Sequence, residues 1–109
     1  MPLNLEPVIQ QYIDASNAHE VKTILACFTD DAVVRDENET HRGKIDVERW
    51  LKTTIEKYKF RFKPLKVEQA GAETLVNVEI SGTFPGSPIT LDYYFTIADD
   101  KITSLIIDS

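Results

Sequence analysis

The sequence is poor in residues that cross-link a chain or carry it through a membrane. Its single cysteine, Cys27, cannot form an internal disulfide, so a reducing cytoplasm is the expected compartment. No apolar run approaches the roughly 18 residues of a membrane span, and no charged-then-apolar start suggests a secretory signal. Cations are outnumbered, with 12 Lys and Arg against 18 Asp and Glu, a net charge of −6. That balance repels phosphate backbones and argues against nucleic acid as a general partner. Neither an internal repeat nor a low-complexity stretch is present. What remains is 109 residues, 42% apolar and 28% charged. This is the size of one domain, spanning 1–109, that buries roughly 60–70% of its unfolded surface without a metal or disulfide.

The order of elements follows from periodicity. Leu5, Val8, Ile9, Tyr12, Ile13 and Ser16 form one stripe of a 3.6-residue repeat, with Asn4 placed to cap it and Pro7 in the first turn. Asn17-Ala18-His19-Glu20 has capping-box spacing and predicts a second helix with the stripe Val21, Ile24, Leu25 and Phe28. A strand is expected over 32–36, then a polar turn and a short return through Thr40 and His41. Gly43 breaks the chain before a third helix with the stripe Val47, Trp50, Leu51, Thr54, Ile55 and Tyr58. From Phe60 the period is two: Phe60 and Phe62, then Leu65 and Val67 on shifted parity after Pro64, which signals a bulge or an edge. Val76, Val78 and Ile80 alternate next, a Gly- and Pro-rich loop covers 82–88, and Leu91, Tyr93, Phe95 and Ile97 follow. The segment 102–107 closes the chain. Helices first and strands afterward predict an α+β fold, a curved, mostly antiparallel sheet packed on three helices with one open end as the natural pocket.

These residues resemble a known family. Tyr12, Asn17-Ala18-His19-Glu20, the run from Phe28 to Asp36, Gly43 and Trp50 are similar to the nuclear transport factor 2-like superfamily, nearest to its SnoaL-like polyketide cyclases and ketosteroid isomerases. The resemblance spans almost the whole chain and implies a cone-shaped fold. It also implies homodimerisation through the outer face of the sheet, where Leu75 and Tyr94 point outward. The fold hosts many activities, so it does not name one. Ketosteroid isomerases use a carboxylate base, a tyrosine and a protonated aspartate; the resemblance places the first two on Asp36 and Tyr12. For the third, counting back from Lys101 gives Asp92, whereas the apolar alternation turns Asp92 outward and Tyr93 inward. Exposing four large apolar side chains would cost about 1.5–3 kcal/mol each, so Tyr93 is favoured.

The candidate catalytic residues are thus Asp36, Tyr12 and Tyr93. Asp36 shares parity with Val34 and suits proton abstraction; it also reads as a turn aspartate opening a hairpin. Tyr12 and Tyr93 suit a two-donor oxyanion hole; each also reads as a core tyrosine with an internal partner. Trp50, His41, Phe60, Phe62, Val78 and Phe95 are the candidate substrate-binding residues, with core packing the alternative for Trp50 and plain exposure the alternative for His41. His19 is expected at the surface.

Other motifs fail. His19-Glu20 lacks the second histidine of a zinc-protease helix, and the start Asp36-x-Asn38-x-Thr40 has His41 where a calcium loop needs glycine. No phosphate loop or nucleophile elbow is present, so neither a metal nor another cofactor is expected. Lys57-Tyr58-Lys59-Phe60-Arg61-Phe62-Lys63 interleaves bases and aromatics, but period two sends them to opposite faces, unlike a single-strand-binding platform. Three functions remain: proton transfer next to a carbonyl of an apolar cyclic ligand, binding of such a ligand without chemistry, and assembly through a filled cone.

Overall fold

The computed structural model describes residues 5–108. Asn4, expected as a helix cap, lies outside them. Helix α1 (Pro7–Asn17) begins at a proline, whose missing N–H is no loss in the first turn, and buries Val8, Ile9, Tyr12, Ile13, Ala15 and Ser16. Helix α2 (Val21–Leu25) is a short turn with only Ile24 buried. Strands β1 (Phe28–Asp36) and β2 (Glu39–Arg42) form a hairpin, and α3 (Gly43–Tyr58) follows with Val47, Trp50 and Leu51 buried. Strands β3 (Arg61–Ala70), β4 (Glu73–Ser81), β5 (Ile89–Ala98) and β6 (Lys101–Asp108) complete the chain.

The strands form one sheet in the order β2-β1-β6-β5-β4-β3. All neighbouring pairs are antiparallel except β1 and β6, which run parallel. The α+β architecture with a mostly antiparallel sheet is therefore present, with one parallel pair that makes the sheet mixed. That pair brings the C-terminal ends of β1 and β6 side by side. Strand β4 shows the period-two rule plainly: Thr74, Val76, Val78 and Ile80 are buried and the residues between them are not. The parity shift at Pro64 is both of its alternatives at once, because β3 is an edge strand and its register with β4 slips between Pro64 and Lys66. The aromatics of this strand face inward, with Phe60 and Phe62 buried, while Arg61 and Lys63 are exposed.

Two local expectations are corrected. Phe28 does not end α2; it opens β1, which starts four residues earlier than expected, because a buried phenylalanine satisfies either period. Asn17 does not cap α2, whose cap position is Glu20. Its amide instead grips the backbone of β3, donating to Phe62 O at 2.9 Å and accepting from Phe62 N–H at 2.6 Å. An asparagine side chain carries the same donor and acceptor pair as a peptide group, so it adds one link to the edge strand. Beside it, His19 Nε2 meets Phe60 O at 2.7 Å while its residue remains exposed. Together they tie the end of α1 to the start of β3.

Candidate functional site

Between α1, α3 and the open end of the sheet lies a cavity of about 410 Å³, within the range of small-molecule sites. Tyr12, Asp36, Tyr93, Trp50, Phe60 and Phe62 all line it. Of the other expected binding residues, Val78 and Phe95 are fully buried in the core and do not reach the cavity. They share its face of the sheet, but Phe95 lies under the Tyr12 ring, 5.5 Å away edge-to-face. His41 does not line the cavity; it lines a second depression that adjoins it and shares Asp36, Glu37, Trp50, Thr54 and Tyr58 with it.

Asp36 ends β1 and pairs with Glu39 across a turn whose two central residues, Glu37 and Asn38, both have positive φ, 53° and 64°. It is thus a turn aspartate and a cavity residue at once. Strand parity carries its side chain to the same side as buried Val34, toward α3, where Trp50 Nε1–H donates to Asp36 Oδ2 at 3.0 Å. Burial raises the Asp36 carboxyl above its ordinary value; the Trp50 hydrogen bond and the His41 ring pull it down, and the Glu37 charge pushes it up. His41 leans on the far side of Trp50, ring centres 6.1 Å apart.

Two buried phenols also line the cavity. Tyr12 and Tyr93 are 1% and 3% exposed, with ring centres 6.4 Å apart. Burial raises both hydroxyl groups, and the nearby Asp36 charge raises them further. Both therefore keep their protons at neutral pH and can act as hydrogen-bond donors. Asp92 lies on the opposite face of β5, bonded to Asn77, so the apolar alternation correctly separated Tyr93 from Asp92.

The mouth contains residues that periodicity alone does not assign to a site. Tyr58 sits at the end of α3 and donates to Glu37 Oε1 at 2.9 Å, and Phe84 packs edge-to-face on it at 5.6 Å. The loop over 82–88 reaches this position because Thr83 N–H donates to Tyr58 O at 2.9 Å, and because Gly82 has no Cβ; a Cβ there would collide with the Tyr58 carbonyl oxygen. Leu91 and Ile107, on inward parity, complete the floor. Their alternation was a usable signal, whereas nothing periodic marks Phe84 or Pro85. Cys27 is buried away from the cavity, with its thiol pushed up to about 11 by burial, which fits a packing role.

Among the described residues, no group of three or more His, Cys, Asp or Glu is placed to hold a metal ion. No helix among them is long and apolar enough to cross a membrane.

The sequence pattern of the SnoaL-like domain family matches residues 9–105. The chain belongs to the SnoaL-like family. A proposed polyketide cyclase from Sinorhizobium meliloti is 35% identical, with a TM-score of 0.92 and 96% of each chain covered. An NTF2-like protein from Cytophaga hutchinsonii shares the fold at 18% identity and a TM-score of 0.76, over 98% of this chain and 92% of that one. A protein of ketosteroid isomerase-like fold from Catenulispora acidiphila, solved with trimethylamine, is 15% identical with a TM-score of 0.83, over 97% and 87% of the two chains. Among curated proteins there is no significant match. The SnoaL-like cavity described above is thus set in an NTF2-like fold.

Proposed function

We propose that the chain binds an apolar cyclic small molecule in its cavity and moves a proton next to a carbonyl of that molecule. The observation that carries this reading is a single half-buried carboxylate, Asp36, facing the same cavity as two buried phenols. Asp36, ionised, takes a proton from the carbon beside the carbonyl. The electron pair of that C–H bond moves to the carbonyl oxygen, and the enolate oxygen accepts hydrogen bonds from Tyr12 and Tyr93. Asp36 then returns the proton to carbon. Trp50 orients Asp36 through its N–H, and Phe60 and Phe62, stacked 4.5 Å apart, offer a wall for a ring-shaped ligand.

Exchange of α-hydrogens of 2-tetralone in D2O, followed by NMR, tests the chemistry. The wild type accelerates exchange over buffer, Asp36→Asn abolishes the acceleration, and Tyr12→Phe lowers it by roughly 10²–10³-fold, as loss of one oxyanion donor does elsewhere. Equal exchange by Asp36→Asn and the wild type overturns the assignment. A second reading, binding without chemistry, is favoured by one observation: Tyr93, and not Asp92, faces the cavity from β5, whereas the resemblance to ketosteroid isomerases calls for a carboxylic acid there. It expects 2-tetralone to raise thermal stability with no exchange.

We also propose that two copies pair through the outer face of the sheet, in the cytoplasm. Leu75, Tyr94 and Ile106 stand in register across β4, β5 and β6 on that face. Light scattering reports a dimer on this reading and a monomer for Tyr94→Lys; a wild-type monomer overturns it.

A further inference from the structure

We propose that the cavity selects an apolar organic cation, whose ammonium group lies near Asp36 and Glu37 at the mouth. The inference deepens the reading above and rests on the same cavity holding a small molecule. Its basis is the charge of the walls. Asp36 and Glu37 place two carboxylates at one end, while no Lys, Arg or His is among the described residues that line the cavity. An anionic ligand would enter an apolar enclosure with no positive countercharge and two negative charges nearby.

The protein's own cations have other partners or line other surfaces. Lys44 pairs with Asp30 at 3.6 Å, and Arg49 with Asp46 at 3.7 Å. Arg49, Lys57 and His41 do not line the cavity but an adjoining depression that shares Asp36, Glu37, Trp50, Thr54 and Tyr58 with it, and Lys57 Nζ lies 5.0 Å over the Tyr58 ring. Among the described residues Asp36 makes no ion pair within 4.0 Å, and its side-chain partner is the neutral Trp50 N–H. Around this negative pole stand aromatic side chains that carry no cation of the protein's own: Trp50 from α3, Phe60 and Phe62 at the start of β3, and Phe84 from the loop. The face of each ring carries negative electrostatic potential and attracts a cation within about 6 Å of its centre. A carboxylate pair rimmed by rings is complementary to a weakly hydrated ammonium with an apolar body and to little else of unit charge. Such a ligand also counters the burial that raises the Asp36 carboxyl and holds it in the ionised form that a base needs.

Three probes of similar size separate charge from shape: phenyltrimethylammonium, its neutral isostere tert-butylbenzene, and benzoate. Trp50 is the chain's one tryptophan and lines the cavity, so its fluorescence reports occupancy, with saturation-transfer NMR on the probes as a second readout. The expected result is that phenyltrimethylammonium binds at least roughly tenfold more tightly than tert-butylbenzene, and that benzoate does not bind. Asp36→Asn and Glu37→Gln each reduce that preference, read as the ratio of the phenyltrimethylammonium and tert-butylbenzene affinities within each variant. Because Glu37 is exposed, its variant keeps the test informative if Asp36→Asn disturbs the hairpin. Equal or tighter binding of tert-butylbenzene, binding of benzoate, or a preference that both variants retain overturns the inference and leaves the small-molecule reading standing. Failure of all three probes to bind overturns both.

Discussion

At the base of the cone, Tyr12 meets Phe28 and Phe95 edge-to-face at 5.9 and 5.5 Å, and Val34, Ile102 and Leu105 close the space completely. At the mouth, Trp50, Tyr58, Phe60, Phe62 and Phe84 are residues of the same chemistry, yet about 410 Å³ stays open among them. The difference lies in the polar anchors. Burial of apolar surface is non-directional and, left alone, closes gaps. Hydrogen bonds have fixed lengths, and at the mouth they set where each wall stands. Asn17 holds β3 at Phe62, Asp36 holds α3 at Trp50, and Tyr58 O holds the loop at Thr83. Few such anchors interrupt the base, so packing decides it.

The largest effect that would sharpen this contrast is at the base. Phe95→Ala should cost about 3–5 kcal/mol in urea denaturation, because it opens a void under Tyr12 that nothing can fill. A loss below about 1 kcal/mol would mean the base is loosely packed after all. Asn17→Ala should come next, at about 2 kcal/mol for two hydrogen bonds of about 1 kcal/mol each. It should also weaken binding of tert-butylbenzene, since the Phe62 wall loses its tether; unchanged affinity would show that packing, not the anchor, positions β3. Phe84→Ala, at the half-buried mouth, should cost only about 1 kcal/mol but should shift ligand affinity more than Phe95→Ala does.

The smallest effect concerns Asp36 and runs the other way. Its folded carboxyl binds its proton more tightly than the ordinary value of 3.8, through burial first. The folded state therefore holds more protons than the unfolded chain between that value and the raised one, and Asp36's contribution to stability falls as pH rises through this window. Asp36→Asn lacks this loss. Thermal melts should show the variant gaining on the wild type from pH 3.8 upward and then holding a constant difference. A difference that does not change with pH would mean that Asp36 is as well solvated when folded as when unfolded.

Much of the base was legible because it obeys a period. The stripe through Ile9, Tyr12 and Ile13 and the alternation through Val76, Val78, Tyr93 and Phe95 report burial directly. The choice of Tyr93 over Asp92 followed from that alternation alone. The mouth was legible only in part. Asp36, Tyr12, Tyr93, Trp50, Phe60 and Phe62 were placed together, whereas Val78 and Phe95 belong to the core, since parity names a face and not a depth along it. Phe84 and Glu37 were not singled out within their turns, because turn residues follow no repeat. Asn17 misled because a side-chain amide that caps a helix also mimics a peptide group, and only the partner it meets decides between the two.

By itself, then, the order of apolar and polar residues determined three helices, six strands and their inward faces, while the choice of Asp36 and Tyr12 came from the family resemblance. Those are local properties, set by the spacing of side chains along one element. The tertiary structure decided the parallel pairing of β1 with β6, the grip of Asn17 on β3, and the hollow between Asp36 and Tyr93. Each depends on distances between segments far apart in the chain, and no repeat within a single element encodes such a distance.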